Sequence, residues 1–148
     1  MKIYQAQVND VDQFSFLYEA YLDFYQVEQS RKDPAAYLKE RLNQQESVIF
    51  VAEDEAGNPV GFTQLYPMFC SLAMQRTWLL YDLYVTAEAR QSGVAQALMD
   101  RAEQMAKETD SAFIMLSTAV DNHRAQALYE KNGYEKDVDF YTYLKHLD

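Results

Sequence analysis

Residues 82–95 read Asp82-Leu83-Tyr84-Val85-Thr86-Ala87-Glu88-Ala89-Arg90-Gln91-Ser92-Gly93-Val94-Ala95: the end of an apolar β-rich run, a short turn holding one glycine, and the start of a helix. Downstream, Val94, Ala95, Leu98, Met99, Ala102, Met105 and Ala106 recur on one helical stripe, with Gln96, Asp100, Glu103 and Lys107 elsewhere. Residues 112–116 are short and almost wholly apolar, as a parallel strand covered on both faces is. Residues 77–116 therefore predict a βαβ unit: a strand to Val85, a helix from Gly93 to about Glu108, then a parallel strand. The turn between strand and helix suits an anion. The first N–H groups of a helix have no intrahelical partner, and the positive end of the helix dipole lies there. Gly93 and the small Ala95 let a ligand come close to the backbone, and Arg90 adds a positive charge. The absence of Gly-Lys-Ser/Thr excludes a P-loop, and the lack of a three-glycine run excludes the dinucleotide fingerprint.

Working outward, residues 2–8 predict a first strand. A helix follows, with Phe14, Leu17, Tyr18, Tyr21, Leu22 and Tyr25 at helical spacing. Asp33-Pro34 supplies an N-cap and a first-turn proline for a second helix reaching about Gln44. Residues 48–53 and 60–66 predict a hairpin across a Gly57-Asn58-Pro59 turn, and a loop near residues 71–75 joins it to the strand at 77–85. Residues 122–131 predict a last helix stopped by Asn132-Gly133, after which the chain returns to strand from Tyr134, ending at residues 140–144. The order is that of an α+β fold, a mixed sheet of about seven strands with about four helices.

The chain has 148 residues, 49% of them hydrophobic, enough for one domain over residues 1–148 with its own core. A single cysteine, Cys70, excludes an intramolecular disulfide and points to a reducing, cytoplasmic setting. The sequence contains no apolar stretch of membrane-spanning length and no signal-peptide pattern, so no membrane partner is expected. The formal charge is −10, with 23 acidic against 13 basic residues, which disfavours nucleic acid as a partner and mildly favours a cationic one. His123 and His146 lack the spacing of a metal site, so no metal is expected.

The segment Arg90-Gln91-Ser92-Gly93-Val94-Ala95 resembles the pyrophosphate loop Arg/Gln-x-x-Gly-x-Gly/Ala of the GNAT acetyltransferases, in the same place between strand and helix. A second segment, Asn122-His123-Arg124-Ala125-Gln126-Ala127-Leu128-Tyr129, is similar to the family's Asn-x-x-Ala-x-x-x-Tyr helix, followed by Asn132-Gly133-Tyr134. The resemblance implies a GNAT-like fold with a mostly antiparallel mixed sheet and a β-α-β core. It also implies acetyl-CoA as the cosubstrate, with CoA as product. Its implied cofactor contacts are Leu83, Tyr84, Val85, Arg90, Gln91, Ser92, Gly93, Val94, Ala95, Gln96, Asn122, Ala125 and Tyr129. In the family the strand before the loop splays from its parallel neighbour. Leu83 and Val85 would then pair with pantetheine through their main chain, and a Leu83 or Tyr84 N–H would polarise the thioester carbonyl. A dimer is common in the family.

Tyr129 also has an argument of its own. Amine attack on a thioester expels a thiolate, and a phenol, whose unperturbed pKa is about 10, can donate a proton to a leaving group of similar basicity. Asp82 stands in an otherwise apolar strand, where a carboxylate is costly unless paired or wet. This stretch resembles spermidine/spermine and related histone/polyamine acetyltransferases, whose acidic residues there bind or deprotonate the acceptor amine. Those enzymes often carry Glu-Asp where this chain has Tyr81-Asp82. A structural salt bridge is the competing reading of Asp82. Tyr25 and Glu28 fall where the family's acceptor-side loop lies, and with Tyr81 and Asp82 complete the expected acceptor-binding set. Cys70 has no placed base, which favours direct transfer in a ternary complex over an acyl-cysteine route. The expected reaction is acetyl transfer to a primary amine, a small cationic amine such as a polyamine first. The alternatives are a peptide lysine or amino acid as acceptor, and a non-catalytic acyl-CoA-binding module.

Overall fold

Alternation along the central strands gives one sheet two apolar faces, and helices cover both. The computed structural model describes residues 1–28 and 32–147. They fall into two compact units, Met1–Leu116 and Ser117–Asp148.

The first unit runs β1 (Lys2–Gln5), a 3-10 turn (Val8–Asp10), α1 (Val11–Phe24), α2 (Pro34–Asn43), β2 (Val48–Glu53), β3 (Pro59–Cys70), β4 (Gln75–Val85), a second 3-10 turn (Ala87–Ala89), α3 (Val94–Glu108) and β5 (Ile114–Met115). The strands lie in sequence order. All neighbours are antiparallel except β4 and β5, which are parallel and joined through α3. The βαβ expectation therefore holds. Asp33 caps α2 by accepting the Ala36 N–H at 3.0 Å, and Pro34 takes the first helical position, where no donor is needed.

On one face Phe50, Leu65, Trp78, Leu80 and Val85 pack under Val94, Leu98, Ala102 and Met105 of α3. On the other, Ile49, Val51 and Phe62 meet Val11, Phe14 and Leu17 of α1 and Leu38 of α2. Each such Leu, Phe or Val, fully buried, contributes roughly 1.5–3 kcal/mol. Gly61 lets α3 come close to the sheet: a Cβ there would stand 3.0 Å from the Tyr84 carbonyl oxygen and 3.0 Å from a Val94 methyl.

One irregularity decides where Asp82 points. Gln64 pairs with Asp82 while the next residue, Leu65, pairs with Leu80, so Tyr81 is an extra residue in β4. Before it, Trp78 and Leu80 join the core under α3; after it, Leu83 and Val85 do. The bulge shifts the alternation by one and turns Asp82 and Tyr84 toward α1, where Tyr84 packs on the second core.

Three expectations need correction. The sheet has five strands, not about seven. Among the described residues no strand follows Met115, and the segment expected to return to strand is exposed at Phe140, Tyr141, Tyr143 and Leu144. β-propensity is only a preference for a pleated, half-buried setting, and without a paired neighbour it produces no strand. Conversely, β3 runs through Pro67 to Cys70, beyond its expected end at Tyr66. Pairing with β2 has ended by Leu65, so Pro67 sits on an edge, where its missing N–H need not break a ladder.

The second unit contains α4 (His123–Lys131). Its N-cap is Asn122, whose side-chain oxygen accepts the Ala125 N–H at 3.1 Å.

Candidate active site

The β4–α3 turn brings the expected anion-binding residues into one loop. After the 3-10 turn the chain extends at Arg90, adopts positive φ (67°) at Gln91, and again at Gly93 (φ 85°), the N-cap of α3. Gly93 offers no capping side chain, and Ala97 N–H is the donor to its carbonyl at 3.0 Å. The N–H groups ahead of Ala97 thus have no intrahelical carbonyl and form the donor end that suits a pyrophosphate. The Ser92 hydroxyl donates to the Ala89 carbonyl, tightening the turn. Arg90 lies over the Tyr84 ring, 5.8 Å from its centroid, and its Nε donates to the Val85 carbonyl at 3.0 Å. One of the two main-chain groups expected to meet pantetheine therefore already has a partner.

The edge of β4 facing β5 is open over its second half. Parallel pairing covers Trp78 with Ile114 and Leu79 with Met115. Among the described residues no strand pairs with Leu80–Val85 on that side. An unpaired strand edge of this kind is what a strand-like ligand can add to.

On the face toward α1 lies Asp82, 4% exposed. Among the described residues no Lys, Arg or His forms a salt bridge with it, and its partners there are neutral. Gln64 Nε2 donates to its carboxylate at 2.8 Å, and Thr63 donates its hydroxyl to the Asp82 main-chain carbonyl at 2.8 Å. The Tyr21 phenol donates to the Tyr81 main-chain carbonyl at 3.4 Å and stands close enough to the same carboxylate to favour its charged form. Burial pushes the Asp82 pKa up, against the opposing pull of the Gln64 and Tyr21 hydrogen bonds.

Tyrosines wall this carboxylate. Tyr18 stacks with Tyr21 and Tyr37 at 6.4 and 6.1 Å, Tyr21 meets Tyr25 at 5.0 Å, and Tyr66 meets Tyr81 at 5.7 Å. The Tyr37 and Tyr66 hydroxyls share a 2.8 Å hydrogen bond. Tyr18 is pushed up to about 12 by burial first and the Asp82 charge second. Tyr21 and Tyr66 rise for the same leading reason. All three keep their protons at neutral pH.

Of the expected acceptor-side residues, Tyr25, Tyr81 and Asp82 thus belong to one cluster, whereas Glu28 lies exposed beyond α1. Sequence reading missed Gln64, Thr63, Tyr18, Tyr21, Tyr37 and Tyr66. A signal existed in Thr63-Gln64, a polar pair inside an apolar strand. In the second unit Tyr129 lies on α4 with its ring 6.1 Å from that of Tyr134. Asn122, expected to contact the cofactor, spends its oxygen on the helix cap. Among the described residues no group of three His, Cys, Asp or Glu could hold a metal.

Residues 14–134 match the family described as "Acetyltransferase (GNAT) family". The chain belongs to the GNAT acetyltransferases. It is 40% identical over 143 residues to the "Uncharacterized N-acetyltransferase YhfO" of Bacillus subtilis, covering 97% of this chain and 95% of that one. A "Probable acetyltransferase" of Haemophilus influenzae is 29% identical over 135 residues, 91% of this chain and 90% of that one. Among solved structures, one described as "Crystal structure of a probable acetyltransferase" superposes with a TM-score of 0.93 at 40% identity, over 100% of this chain and 99% of the other. The GNAT fold, with a mixed sheet and four helices, and an acetyltransferase activity are therefore established. Acetyl-CoA use is general for GNAT enzymes. Among the described residues no helix is long and apolar enough to cross a membrane.

Proposed function

We propose that this GNAT enzyme transfers the acetyl group of acetyl-CoA to a primary amine by direct attack in a ternary complex, with a small cationic amine such as a polyamine as the first candidate acceptor. The observation that carries the reading is Asp82: a buried carboxylate with no salt bridge among the described residues, turned by a bulge into a wall of tyrosines, on the strand that leads into the anion loop. A carboxylate whose pKa is raised above its ordinary value is a stronger base, better suited to take a proton from an ammonium and release the nucleophilic amine. The aromatic faces of Tyr21, Tyr25 and Tyr81 favour a cation beside it.

The residues present fit acetyl-CoA. Arg90 to Gln96 would hold its pyrophosphate through backbone N–H groups and one guanidinium. Leu83, Tyr84 and Val85 would meet the pantetheine through their main chain, and Asn122, Ala125 and Tyr129 complete the proposed contacts. When bound, acetyl-CoA supplies an activated thioester. On the motif alone, Tyr129 is the proposed proton donor to the departing thiolate, and both units belong to one N-acetyltransferase domain over residues 1–148. The reading also includes a cytoplasmic setting, on the single Cys70, and a homodimer, on resemblance only.

A second acceptor class has one observation in its favour. The "D-amino-acid N-acetyltransferase HPA3" of Saccharomyces cerevisiae is 33% identical over 89 residues, 60% of this chain and 55% of that one. The deciding experiment measures thiol release with acetyl-CoA across polyamines, amino acids, aminoglycosides and lysine peptides. Turnover on a polyamine supports the first reading and turnover on a D-amino acid the second. Acetyl-CoA binding with no turnover on any amine would leave a non-catalytic binding module instead.

A further inference from the structure

The open half of β4 presents the main chain of two residues. The Thr86 N–H donates across to the Val60 carbonyl at 2.9 Å, and Tyr84 pairs with Phe62 on the same side. Main-chain groups alternate along an antiparallel strand, so those of Leu83 and Val85 face the other edge, where the pairing with β5 ends at Leu79. That edge holds two carbonyl acceptors, and one is taken: Arg90 Nε donates to Val85 at 3.0 Å. The guanidinium is held a second time by the Tyr84 ring, 5.8 Å from its centroid. Arg90 is extended (φ −68°, ψ 148°) immediately before Gln91 turns to positive φ. The residue that opens the anion loop thus reaches back to close the end of the strand. A guanidinium has five N–H donors, so the Nε bond leaves both Nη groups for the phosphate role proposed above.

The consequence concerns register. An extended ligand whose anionic end sits in the loop meets Val85 before Leu83. With the Val85 carbonyl occupied, its amide N–H groups have the Leu83 carbonyl as acceptor on this edge, while the Leu83 and Val85 N–H groups stay open as donors. With the Val85 carbonyl free, the ligand could also pair one ladder step nearer the loop, a slip of two residues or about 7 Å of strand. We infer that Arg90 is a positioning residue for acetyl transfer: its Nε holds the Val85 carbonyl so that the pantetheine arm of acetyl-CoA pairs with β4 in one register, which sets where along the strand the thioester stands. The inference rests on the reading that acetyl-CoA lies along β4 with its pyrophosphate in the loop.

Two variants separate the bond from the charge. Arg90→Gln keeps an N–H donor on Cδ and loses the charge, whereas Arg90→Lys keeps the charge and has a methylene where Nε stood. At a saturating concentration of the best amine from the panel, Arg90→Lys should lower kcat about twofold if the two registers are equally populated, and more if the slipped one is preferred. KM for acetyl-CoA should fall by the same factor, because donor bound in the slipped register is held but idle. Arg90→Gln should restore the wild-type kcat and raise KM instead. A purely electrostatic Arg90 predicts the reverse: Lys close to wild type, Gln raising KM, and no joint fall of kcat and KM in either. A second measurement needs neither variant nor acceptor. In nitrogen-15 NMR of the wild type, the Arg90 Nε–H should exchange with water no faster when CoA saturates the protein than when it is free, and release of this proton on CoA binding overturns the proposal. If Arg90→Lys keeps the wild-type kcat, or if both variants only raise KM, the positioning role fails and the acetyl-CoA reading stands. If calorimetry finds no CoA binding to the wild type and no thiol is released, the reading beneath it fails as well.

Discussion

At the scale of single residues, the base role proposed for Asp82 would couple activity to stability. Its carboxylate is surrounded by an amide, phenols and apolar rings, and folding holds its pKa above the ordinary value near 3.9. The folded state therefore keeps this proton more tightly than the unfolded chain does. The stability that the protonated group contributes is fully present below about pH 3.9 and is lost as pH rises through the raised folded pKa. Asp82→Asn removes that pH dependence. The melting temperature of the variant relative to wild type should rise as pH increases from about 4 toward 7, and a pH-independent difference would contradict a raised Asp82 pKa. In the same variant kcat should fall by about 10²–10⁴-fold, the usual contribution of a positioned general base. For Tyr129→Phe the proposed acid role requires a loss of about 10²-fold or more in kcat with acetyl-CoA affinity retained. An unchanged turnover number removes Tyr129 from that role.

At the scale of elements, the packing of α3 on the sheet bears on β4, the strand proposed to hold the cofactor. A methyl group at Gly61 would press on the Tyr84 carbonyl from 3.0 Å. Gly61→Ala should therefore cost about 1–3 kcal/mol in unfolding experiments and raise KM for acetyl-CoA, because the strain falls on the strand proposed to hold it. Gly93→Ala meets no atom within 4 Å, so its cost is the positive φ alone, about 1 kcal/mol by denaturant titration. Much of this level was legible in the chain. The stripe on α3, the Asp33-Pro34 start of α2 and the limits of β2 follow from local periodicity and capping, which need no knowledge of neighbours. The passage of β3 through Pro67 was not legible, because it depends on where β2 stops. The extra residue at Tyr81 was hidden for a similar reason: alternation read from one strand shows no shift until the partner's register is known. Hence Asp82 was recognised as anomalous, while Gln64 across from it and the tyrosines above it were not.

At the scale of the whole molecule, the charge of −10 acts on encounter. If the acceptor is a polycation, its kcat/KM should fall as ionic strength rises from about 0.01 to 0.15 M, as the Debye length shortens from roughly 30 to 8 Å. A zwitterionic amino acid should show little change. Equal salt slopes for the two would argue against steering by net charge. The family match, residues 14–134, reaches from α1 past α4 and so draws on both compact units. The bulge has a consequence at this scale too. Tyr81 is 62% exposed and belongs to neither packed layer. Substitution there would alter the wall of the proposed acceptor site while leaving both cores intact, so selection could retune the proposed site with little loss of foldedness. Deleting the residue would leave the same faces: without Tyr81, Leu80, Asp82, Leu83, Tyr84 and Val85 simply alternate, Asp82 and Tyr84 toward α1, Leu83 and Val85 toward α3. Keeping Tyr81 but forcing it into line would instead drive Asp82 beneath α3, so a single slipped pairing exchanges the inside and outside of half a strand.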